Sequence, residues 1–431
     1  MQMPEELLHF IWRFRLFDQS NLRTLGNDEL TIKQVGQHNI DAGPDFLMAK
    51  IRIAQHDWIG HVEIHRTAVD WYAHSHHYDT AYNNVILHVV WDGTKEVNRR
   101  DGTPIPTLCL ANYVDNNLLN HYRVLMNNEY WIACQNQLPS VDTTYVSQWL
   151  VRLTMERLET KFDIFQQQLT AHKQDFEKIT FIILARAFGQ RVNADSFQEL
   201  AQHIPLNLVL KYKDDPVKRE ALFLGMAGYL VRHDYHDNPY VRQLIQEFDY
   251  LKKLHGLSSL EVHRWKRFRM RPYNFPEFRI AQLAALYAHN DFLIAKILEM
   301  ETLESVRAFL SKIRLATFWE THFTLDKVSS PHVTNLGTGF IDSLIINGLV
   351  HVLFLYGKYF RQESYLYRAV SWLEEIKAES NAIVKGFGIC GIRARRAAES
   401  QALLHLKREY CDKKNCLSCG IGIQILRINR E

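Results

Sequence analysis

The sequence lacks a long apolar run, a basic-then-apolar leader and a phosphate-binding Gly-rich loop ending in Lys-Ser/Thr. The most apolar stretch, residues 344–356, is short and contains Asn347 and His351, so it predicts a buried core helix instead of a membrane span. The opening residues MQMPEE predict no signal peptide. Without the phosphate-binding loop, ATP-driven work by this chain is not expected. Together, these absences favour a soluble, cytoplasmic protein.

Composition favours large cores and hides an uneven distribution of charge. A chain of 431 residues, 47% apolar and 12% aromatic, is expected to fold as two or three domains. The net charge is +3, yet residues 1–130 hold 11 Lys/Arg against 16 Asp/Glu, with 10 of the 21 His. The remainder holds 40 against 32. This pattern suits a metal-using site beside a surface that attracts polyanions, or else is ordinary charge scatter.

The order of patterns predicts an α/β (α+β) domain over residues 1–135. An amphipathic helix over residues 5–17 precedes a hairpin at 22–35, strands at 46–53 and 58–67, a polar His-rich stretch and a buried strand at 85–91. Helical spacing takes over from about residue 143, so residues 136–431 are predicted to be mainly α-helical. The irregular, proline-containing segment near 260–278 is a candidate subdivision.

Acidic and imidazole side chains mark the two strands of this domain. Alternation along residues 60–67 places His61, Glu63 and His65 on one face, while Asp45 follows Pro44 about a strand's length upstream. A carboxylate flanked by imidazoles is typical of a metal site. The alternative is that Asp45 is a turn residue and that the His/Glu face is exposed to solvent.

Pro44-Asp45, 17 intervening residues and Glu63-x-His65, set between an N-terminal helix and a buried strand, resemble the PD-(D/E)XK nuclease superfamily. The resemblance implies Mg²⁺ or Mn²⁺ held by Asp45, Glu63 and the Ile64 carbonyl. His65 stands in place of the lysine that orients or activates water, which is the main departure. Glu6 would be the additional acid that some members carry on the first helix, with Glu5 equally available.

A second resemblance extends along most of the chain, to an uncharacterised bacterial family that is known as a domain of unknown function. It implies no activity. It is carried by Asn39-x-x-Ala42-Gly43-Pro44-Asp45-Phe46, Val62-Glu63-Ile64-His65, Asp70-Trp71, His74-x-His76, Val85-Ile86-Leu87-His88-Val89-Val90, Arg271-Pro272-x-Asn274-x-Pro276 and the C-terminal cysteines.

The polar stretch that follows Glu63 favours a different metal chemistry. Asp70-Trp71-x-x-His74-x-His76-His77-x-Asp79 can fold over Glu63 and supply ligands. An ion bound mainly by His61, His65, His74 or His76 would make the protein a metallohydrolase of another substrate class. The alternative is a polar loop in which these side chains are structural.

The C-terminal cysteines predict a second metal site. Cys411-x4-Cys416-x2-Cys419 matches one iron–sulfur spacing and also suits structural zinc, because clustered thiols in a reducing compartment favour a metal over disulfides. Some RecB-like nucleases hold an iron–sulfur cluster with one remote cysteine and a C-terminal trio, and this layout is similar with a different spacing. Cys390 and Cys134 are the alternatives for the fourth ligand, and plain buried thiols are the alternative to a metal.

A basic and aromatic stretch predicts contact with nucleic acid. Cations bind phosphates and aromatic rings stack on bases, so their interleaving suits a single or distorted strand. The alternative is an amphipathic segment whose rings are buried and whose cations are solvated. The candidate residues are Arg264, Trp265, Lys266, Arg267, Arg269 and Arg271, with Arg393, Arg395 and Arg396 as a second cluster.

The sequence therefore predicts a divalent-metal-dependent nuclease acting on DNA or RNA, with Asp45, Glu63 and His65 as its catalytic residues. The alternatives are the His-rich metallohydrolase and a catalytically degenerate protein that only binds nucleic acid or assembles with it. The histidine at position 65 is the best support for the third alternative.

Overall fold

The computed structural model describes residues 3–93, 95–231, 238–288, 290 and 292–428. It has an N-terminal region with a mixed β-sheet followed by a largely α-helical region, with 56% helix and 12% strand, so the predicted fold class is confirmed. The chain divides into two compact units. Unit 1 comprises Met1–Trp149, Gly386–Ile392 and Leu406–Glu431, and unit 2 comprises Leu150–Lys385 and Arg393–His405.

The first helix of unit 1, α1 (Glu5–Arg13), has acidic residues in its first turn. Their negative charges stabilise the helix there, because its N-terminus is the positive end of the helix dipole. It buries Leu7, Leu8, Phe10, Ile11 and Trp12. The predicted helix extended to residue 17, but the helix ends at Arg13. Arg15 has a φ of 52°, a left-handed conformation that cannot continue a right-handed helix.

The strands of unit 1 form a six-stranded mixed sheet and a separate two-stranded ribbon. Their bounds are β1 (Leu30–Gln34), β2 (Gln37–His38), β3 (Phe46–Ile53), β4 (His56–Thr67), β5 (Val85–Asp92), β6 (Val97–Asn98), β7 (Pro104–Ile105) and β8 (Thr107–Cys109). The sheet order is β1-β3-β4-β5-β8, with β2 paired to β3. β1, β3 and β4 are antiparallel, whereas β5 lies parallel to β4 and β8 parallel to β5. A parallel pair needs a crossover, and residues 68–84 supply it.

Two irregularities fix the register around the candidate site. β3 carries a bulge opposite His61, where Met48 has a φ of 54°. β4 shifts its register against β5 between His61 and Val62. Gly60 allows the close approach of the two strands there, because a Cβ would lie 2.4 Å from Ile86 Cγ2 and 2.6 Å from the Asn84 carbonyl. Beyond the shift, Glu63 pairs with His88 and His65 with Val90.

Most of the remaining elements are helices. Their bounds are α2 (Asp70–Ala73), α3 (Asn116–Asn127), α4 (Thr143–Ala171), α5 (Phe176–Phe188), α6 (Gln190–His203), α7 (Leu206–Lys211), α8 (Pro216–Met226), α9 (Pro239–His255), α10 (Pro276–Leu286), α11 (Leu293–Glu299), α12 (Leu303–Ser311), α13 (Thr338–Leu344), α14 (Val350–Phe360), α15 (Glu363–Glu375), α16 (Ala382–Ile389), α17 (Ala397–His405) and α18 (Gly420–Ile428). Short π-helical segments, Ile345–Leu349 and Leu406–Cys411, follow α13 and α17.

The core of unit 2 is built around helices that are apolar on most sides. α5, α8 and α10 are almost completely buried, as expected for central helices. The predicted core helix at 344–356 lies within the continuous helical stretch Thr338–Phe360, whose most apolar 18-residue window has a mean hydropathy of 1.7. This stretch has the length and composition of a membrane span, but 72% of its most apolar window is buried inside the protein, as in the core helix of a soluble protein.

Candidate metal centre

Three imidazoles converge at the end of β4 and the start of the crossover. His65 lies on β4, His74 directly follows α2, and His76 begins a 3₁₀ turn. One ring nitrogen from each lies within 4.8 Å of the other two, and His65 Nε2 is 3.2 Å from His74 Nδ1. In the described part of the chain, no other group of three or more His, Cys, Asp or Glu side chains meets this spacing.

Glu63 adds a carboxylate to this histidine triad. Its Oε1 lies 3.5 Å from His65 Nε2 and 3.2 Å from His76 Nε2. Donors of a tetrahedral zinc ion, with bonds of about 2.0–2.1 Å, are separated by about 3.3 Å. The three measured separations are close to this value, so these neighbouring donors are spaced as ligands of one ion would be. The group whose donor atoms all lie within 4.8 Å of one another comprises the three histidines alone.

Asp45 meets Glu63 from the start of the neighbouring strand. The Asp45 N–H donates to Glu63 Oε2 at 3.1 Å, and the Ile64 N–H donates to Asp45 Oδ2 at 2.9 Å. The two carboxyl groups therefore lie close together, as the motif required. Ile64 contacts Asp45 through its N–H, whereas the predicted ligand was its carbonyl. On the other side, His9 Nε2 of α1 lies 3.3 Å from Asp45 Oδ2.

Asp70 and Asp79 of the crossover segment do not belong to the triad, but they fix the turns that carry its histidines. Asp70 Oδ2 accepts hydrogen bonds from the N–H and the hydroxyl of Thr67, both at 2.9 Å, which fixes the start of α2. Asp79 accepts the Ala81 N–H at 2.9 Å and caps a 3₁₀ turn. Short acidic side chains commonly satisfy free N–H groups at turns in this way. They hold the segment that carries His74 and His76.

Aromatic packing orients His76. Its ring stacks on Tyr82 with centroids 3.9 Å apart, and Trp71 packs against it at 5.5 Å. Trp71 is fully buried, and its Nε1–H donates to the Asn98 carbonyl at 3.1 Å. The imidazole is thus clamped between fixed rings, which limits the rotamer freedom lost when it binds an ion.

Burial keeps the His65 and His76 imidazoles neutral. It lowers the pKa of His65 to about 2, with further lowering by the His88, His76 and His74 imidazoles. The pKa of His76 is also lowered by burial. Burial raises the pKa of Glu63, and the negative charge of Asp45 raises it further. Neutral imidazoles have a free lone pair for a metal, and a cation would relieve the repulsion between the two carboxylates.

His88 was missed by the sequence reasoning, although it is the one polar residue in the apolar run 85–91. It is fully buried, and its Nε2 lies 2.9 Å from His65 Nδ1. If His65 binds an ion through Nε2, its Nδ1–H donates to His88, which fixes both the tautomer and the ring orientation. Burial lowers the pKa of His88 to about 3, so this acceptor stays neutral.

Two further candidates lie outside the triad. His61 lies at the bulge, and its Nδ1 accepts the Met48 N–H at 3.3 Å. Of the two acids on α1, Glu5 interacts electrostatically with Asp45, His9 and His74, and burial raises its pKa. Glu6 lines a cavity further along the helix. Glu5 is therefore the acid that faces the centre.

Some side chains of the basic stretch of unit 2 are buried in the core, and others are exposed at the surface. Trp265 is buried, and its Nε1–H donates to the Ala227 carbonyl at 2.8 Å, so its ring offers no free face to a base. Arg264 pairs with Glu199 at 2.7 Å, and Arg267 pairs with the buried Glu277. Phe268 is 83% exposed, with Arg269 beside its ring.

The other predicted cations of unit 2 are partly engaged. Lys266 and Arg271 are exposed, as are Arg393, Arg395 and Arg396. The Arg396 guanidinium pairs with Glu374 at 3.1 Å.

The predicted cysteine ligands all belong to unit 1, and none of them forms a disulfide within the described part of the chain. Cys134, Cys416 and Cys419 are buried, whereas Cys390 and Cys411 are half-buried. Burial raises the pKa of Cys134 to about 12, with further contributions from Cys419, Cys416 and Cys390. Within the described residues no three of these sulfurs meet the 4.8 Å spacing of the histidine triad. The cysteines are neighbours that are not gathered as a metal site.

The fold and this centre define a protein with a mixed-sheet unit, an imidazole–carboxylate cluster and a helical unit. The chain belongs to a family described as "Protein of unknown function (DUF2851)", whose profile matches residues 5–382 and ends before Cys390. No curated protein and no solved structure matches it. The comparisons give no support to the PD-(D/E)XK resemblance, which stays a prediction.

Proposed function

We propose that this protein is a metal-dependent hydrolase that cleaves nucleic-acid phosphodiester bonds. The observation that carries the proposal is the convergence of Asp45 and Glu63, from neighbouring strands, on the triad of His65, His74 and His76. The element order of one helix, three antiparallel strands, a crossover and a parallel strand supports the nuclease-like reading of the sheet.

The donor set favours a different ion from the one the motif implies. Mg²⁺ and Mn²⁺ prefer oxygen ligands, whereas imidazole suits zinc, iron and nickel. With three imidazoles and one carboxylate, Zn²⁺ is the first candidate, and Mn²⁺ is the second because it also accepts the carboxylates of Glu63 and Asp45. Such an ion would polarise a phosphoryl oxygen and lower the pKa of a bound water.

The protein groups then divide the work between them. His65 acts as a ligand, because its Nε2 lies among the donor atoms. Asp45 would accept the proton of the attacking water, and His9, whose Nε2 lies 3.3 Å from Asp45 Oδ2, would orient that carboxylate. Hydrolysis joins the water oxygen to phosphorus and breaks a P–O bond, and the leaving oxygen takes up a proton. The exposed cations of unit 2 would bind nucleic acid through its phosphates.

The first test measures metal and cleavage on the same preparations. At this centre we expect about one Zn²⁺ or Mn²⁺ per chain, counted apart from any metal held by the C-terminal cysteines. A His65→Ala/His76→Ala variant should lose this ion, and His56→Ala, whose imidazole is exposed at the start of β4, should retain it. Asp45→Asn and Glu63→Gln should lower cleavage of single-stranded DNA or RNA by about 10²-fold or more. The matched acid control is Asp92→Asn at the exposed end of β5.

Each outcome has a defined meaning. Cleavage that survives both Asp45→Asn and Glu63→Gln would contradict the proposed centre. Bound metal with hydrolysis of carboxylic esters or amides, but not of nucleic acid, would favour a metallohydrolase of another substrate class, which the imidazole-rich donor set also supports. Salt-sensitive nucleic-acid binding without turnover would identify a degenerate centre.

We also propose that Cys411, Cys416 and Cys419 hold zinc or an iron–sulfur cluster, with Cys134 as the fourth ligand. The support for Cys134 is that it is among the thiols that interact electrostatically with Cys411, together with Cys419 and Cys416. Stoichiometric zinc in a colourless protein would select zinc, and a brown protein would select iron–sulfur. A Cys134→Ser variant that keeps the metal lost by Cys416→Ser would contradict this ligand set. Reduced thiols of this kind fit the proposed cytoplasmic location.

A further inference from the structure

A cavity of about 260 Å³ in unit 1 lies beside the metal centre and has no part in it. α1, α3 and the cysteine loop 411–419 form its walls. The polar side chains among its lining residues are Glu6, His9, Arg13, His38, Tyr122, Lys414, Asn415 and Ser418. Ligand pockets usually have volumes of about 300–1,000 Å³, so this one suits a small group instead of a base pair.

The cations of this cavity are not neutralised. Among the described residues, no carboxylate oxygen lies within 4.0 Å of the Arg13 guanidinium, which rests beside the Phe14 ring. Lys414 Nζ donates to the carbonyls of Met126 and Asn128, which are neutral. Glu6 is the single acid in the lining. The cavity is therefore positive and suits an anion.

The effect of this charge is visible at His38. Its pKa is lowered by burial and then by the positive charges of His9 and Arg13. The imidazole of His38 is therefore kept neutral, and it can donate one N–H to an anion while Arg13 supplies the charge.

His9 connects the cavity to the centre. It lines the cavity, and its Nε2 lies 3.3 Å from Asp45 Oδ2. Asp45 in turn donates its N–H to Glu63 at the histidine triad. A polymer with a phosphate in the cavity would therefore present a neighbouring phosphate near the ion.

We infer that this cavity binds a backbone phosphate of the nucleic-acid strand, next to the phosphate that is cleaved. The inference rests on the proposed function for the identity of the polymer. Arg13 and Lys414 supply the charge, and the Ser418 hydroxyl and the His38 imidazole supply neutral hydrogen bonds. Guanidinium groups are well suited to this role because they donate two parallel hydrogen bonds to phosphate oxygens.

The test measures binding, so that it does not depend on turnover. A labelled 5′-phosphorylated single-stranded oligonucleotide is titrated at several salt concentrations, with inorganic phosphate as a second probe. An Arg13→Gln/Lys414→Gln variant is compared with Arg123→Gln/Lys50→Gln, which removes the same charge from exposed positions of α3 and β3. The metal content of each protein is measured in parallel.

We expect the cavity variant to bind the oligonucleotide at least about 10-fold more weakly, while the control pair changes it by less than about 3-fold. The salt slope of log K should fall by about 0.7, the value for one phosphate contact on a single strand. Unchanged metal content would separate this loss from damage to the centre. A wild-type protein that binds the strand through the cavity but cleaves nothing would refute the proposed activity and keep the binding site.

Two results would overturn the inference. One is an equal loss of affinity and of salt slope in the cavity variant and in the control pair. The other is a cavity variant that loses binding of inorganic phosphate while its binding of the strand stays at the wild-type level, because the cavity would then take a free anion only.

Discussion

Both units bury charged and titratable side chains, but they use them in opposite ways. In unit 2 the buried Glu177 and the half-buried Lys178 each have partners of their own. Glu177 accepts the N–H groups of Leu293 and Ile294, at 2.9 and 3.0 Å, at the start of α11, and the Lys178 ammonium donates to the carbonyls of Ala201 and Ile204. In unit 1 the acids and imidazoles instead converge on one point. A candidate site is therefore recognised by several metal-binding side chains that meet at one point, more than by burial itself. In a structural core, each buried charge has its own hydrogen-bond partners.

The first way to sharpen this comparison is to replace the two aromatic residues of the basic stretch. Trp265→Ala should lower the free energy of unfolding of unit 2 by about 4 kcal/mol, because it empties a buried site and leaves the Ala227 carbonyl without its donor. The matched variant Phe268→Ala should change it by less than about 0.5 kcal/mol, since that ring is 83% exposed. Urea unfolding followed by circular dichroism measures both.

The same two variants test whether the exposed ring of Phe268 contributes to nucleic-acid binding. Phe268→Ala should weaken single-strand binding by about 10-fold if the ring stacks on a base. An unchanged affinity would leave the exposed ring without a role in binding, and a stable Trp265→Ala variant would contradict its place in the core.

The basic stretch also illustrates a limit of the sequence. Interleaved Arg, Lys and aromatic residues look the same whether a ring is buried, as for Trp265, or exposed, as for Phe268. Only the packing of residues distant in the sequence, such as Phe197 against Trp265, decides between the two. Local pattern does not carry that information.

The pH dependence of unit 2 gives the second prediction. Burial raises the pKa of Glu220 to about 7, although Tyr240 and Trp319 donate hydrogen bonds to its carboxyl group. A raised folded-state pKa contributes stability that is fully present below about pH 4.5 and is lost as the pH rises through about 7. The contribution is roughly 3 kcal/mol at full extent.

Glu220→Gln should remove this part of the pH dependence because it cannot ionise. Unfolding measured between pH 4.5 and 8 would show a smaller fall for the variant than for the wild type. The control is Glu363→Gln at the exposed start of α15, which should behave as the wild type does. Parallel pH profiles for Glu220→Gln and the wild type would contradict the assignment.

The third prediction concerns unit 1. A ligand that binds only the folded state stabilises it by about 2.7 kcal/mol at 100 times its Kd. Adding Zn²⁺ or Mn²⁺ to metal-free protein should therefore raise the unfolding temperature of unit 1. His65→Ala/His76→Ala should lose the effect, and the His56→Ala control should keep it. Stabilisation that persists in the double variant would place the ion elsewhere.

The sequence predicted much of this centre but could not select its members. β3 was predicted with the bounds it has, Phe46–Ile53, and Asp45 and Glu63 were placed on neighbouring strands. Strand alternation also included His61, which instead contacts the bulge at Met48. A bulge in the partner strand leaves no mark on β4, so alternation alone could not exclude that histidine.

Local sequence patterns also could not predict which segments of the chain make up unit 1. Residues 406–431 belong with the N-terminal sheet, although more than 250 residues separate the two. The cysteine spacing was the only signal that the C-terminus does more than extend the helical region. Such long-range association depends on packing between surfaces, and no single window of the sequence contains both of them.

His88 gives the last and smallest effect, and it separates positioning from ligation. His88→Phe keeps an apolar ring in the buried strand but removes the acceptor for His65 Nδ1, so metal affinity should fall by about 10–100-fold. His88→Gln, which can still accept a hydrogen bond, should recover part of the loss. A competition assay with a metal chelator measures Kd for both variants. If His88 had only a packing role, His88→Phe would bind metal as tightly as the wild type does and His88→Gln would be the weaker variant.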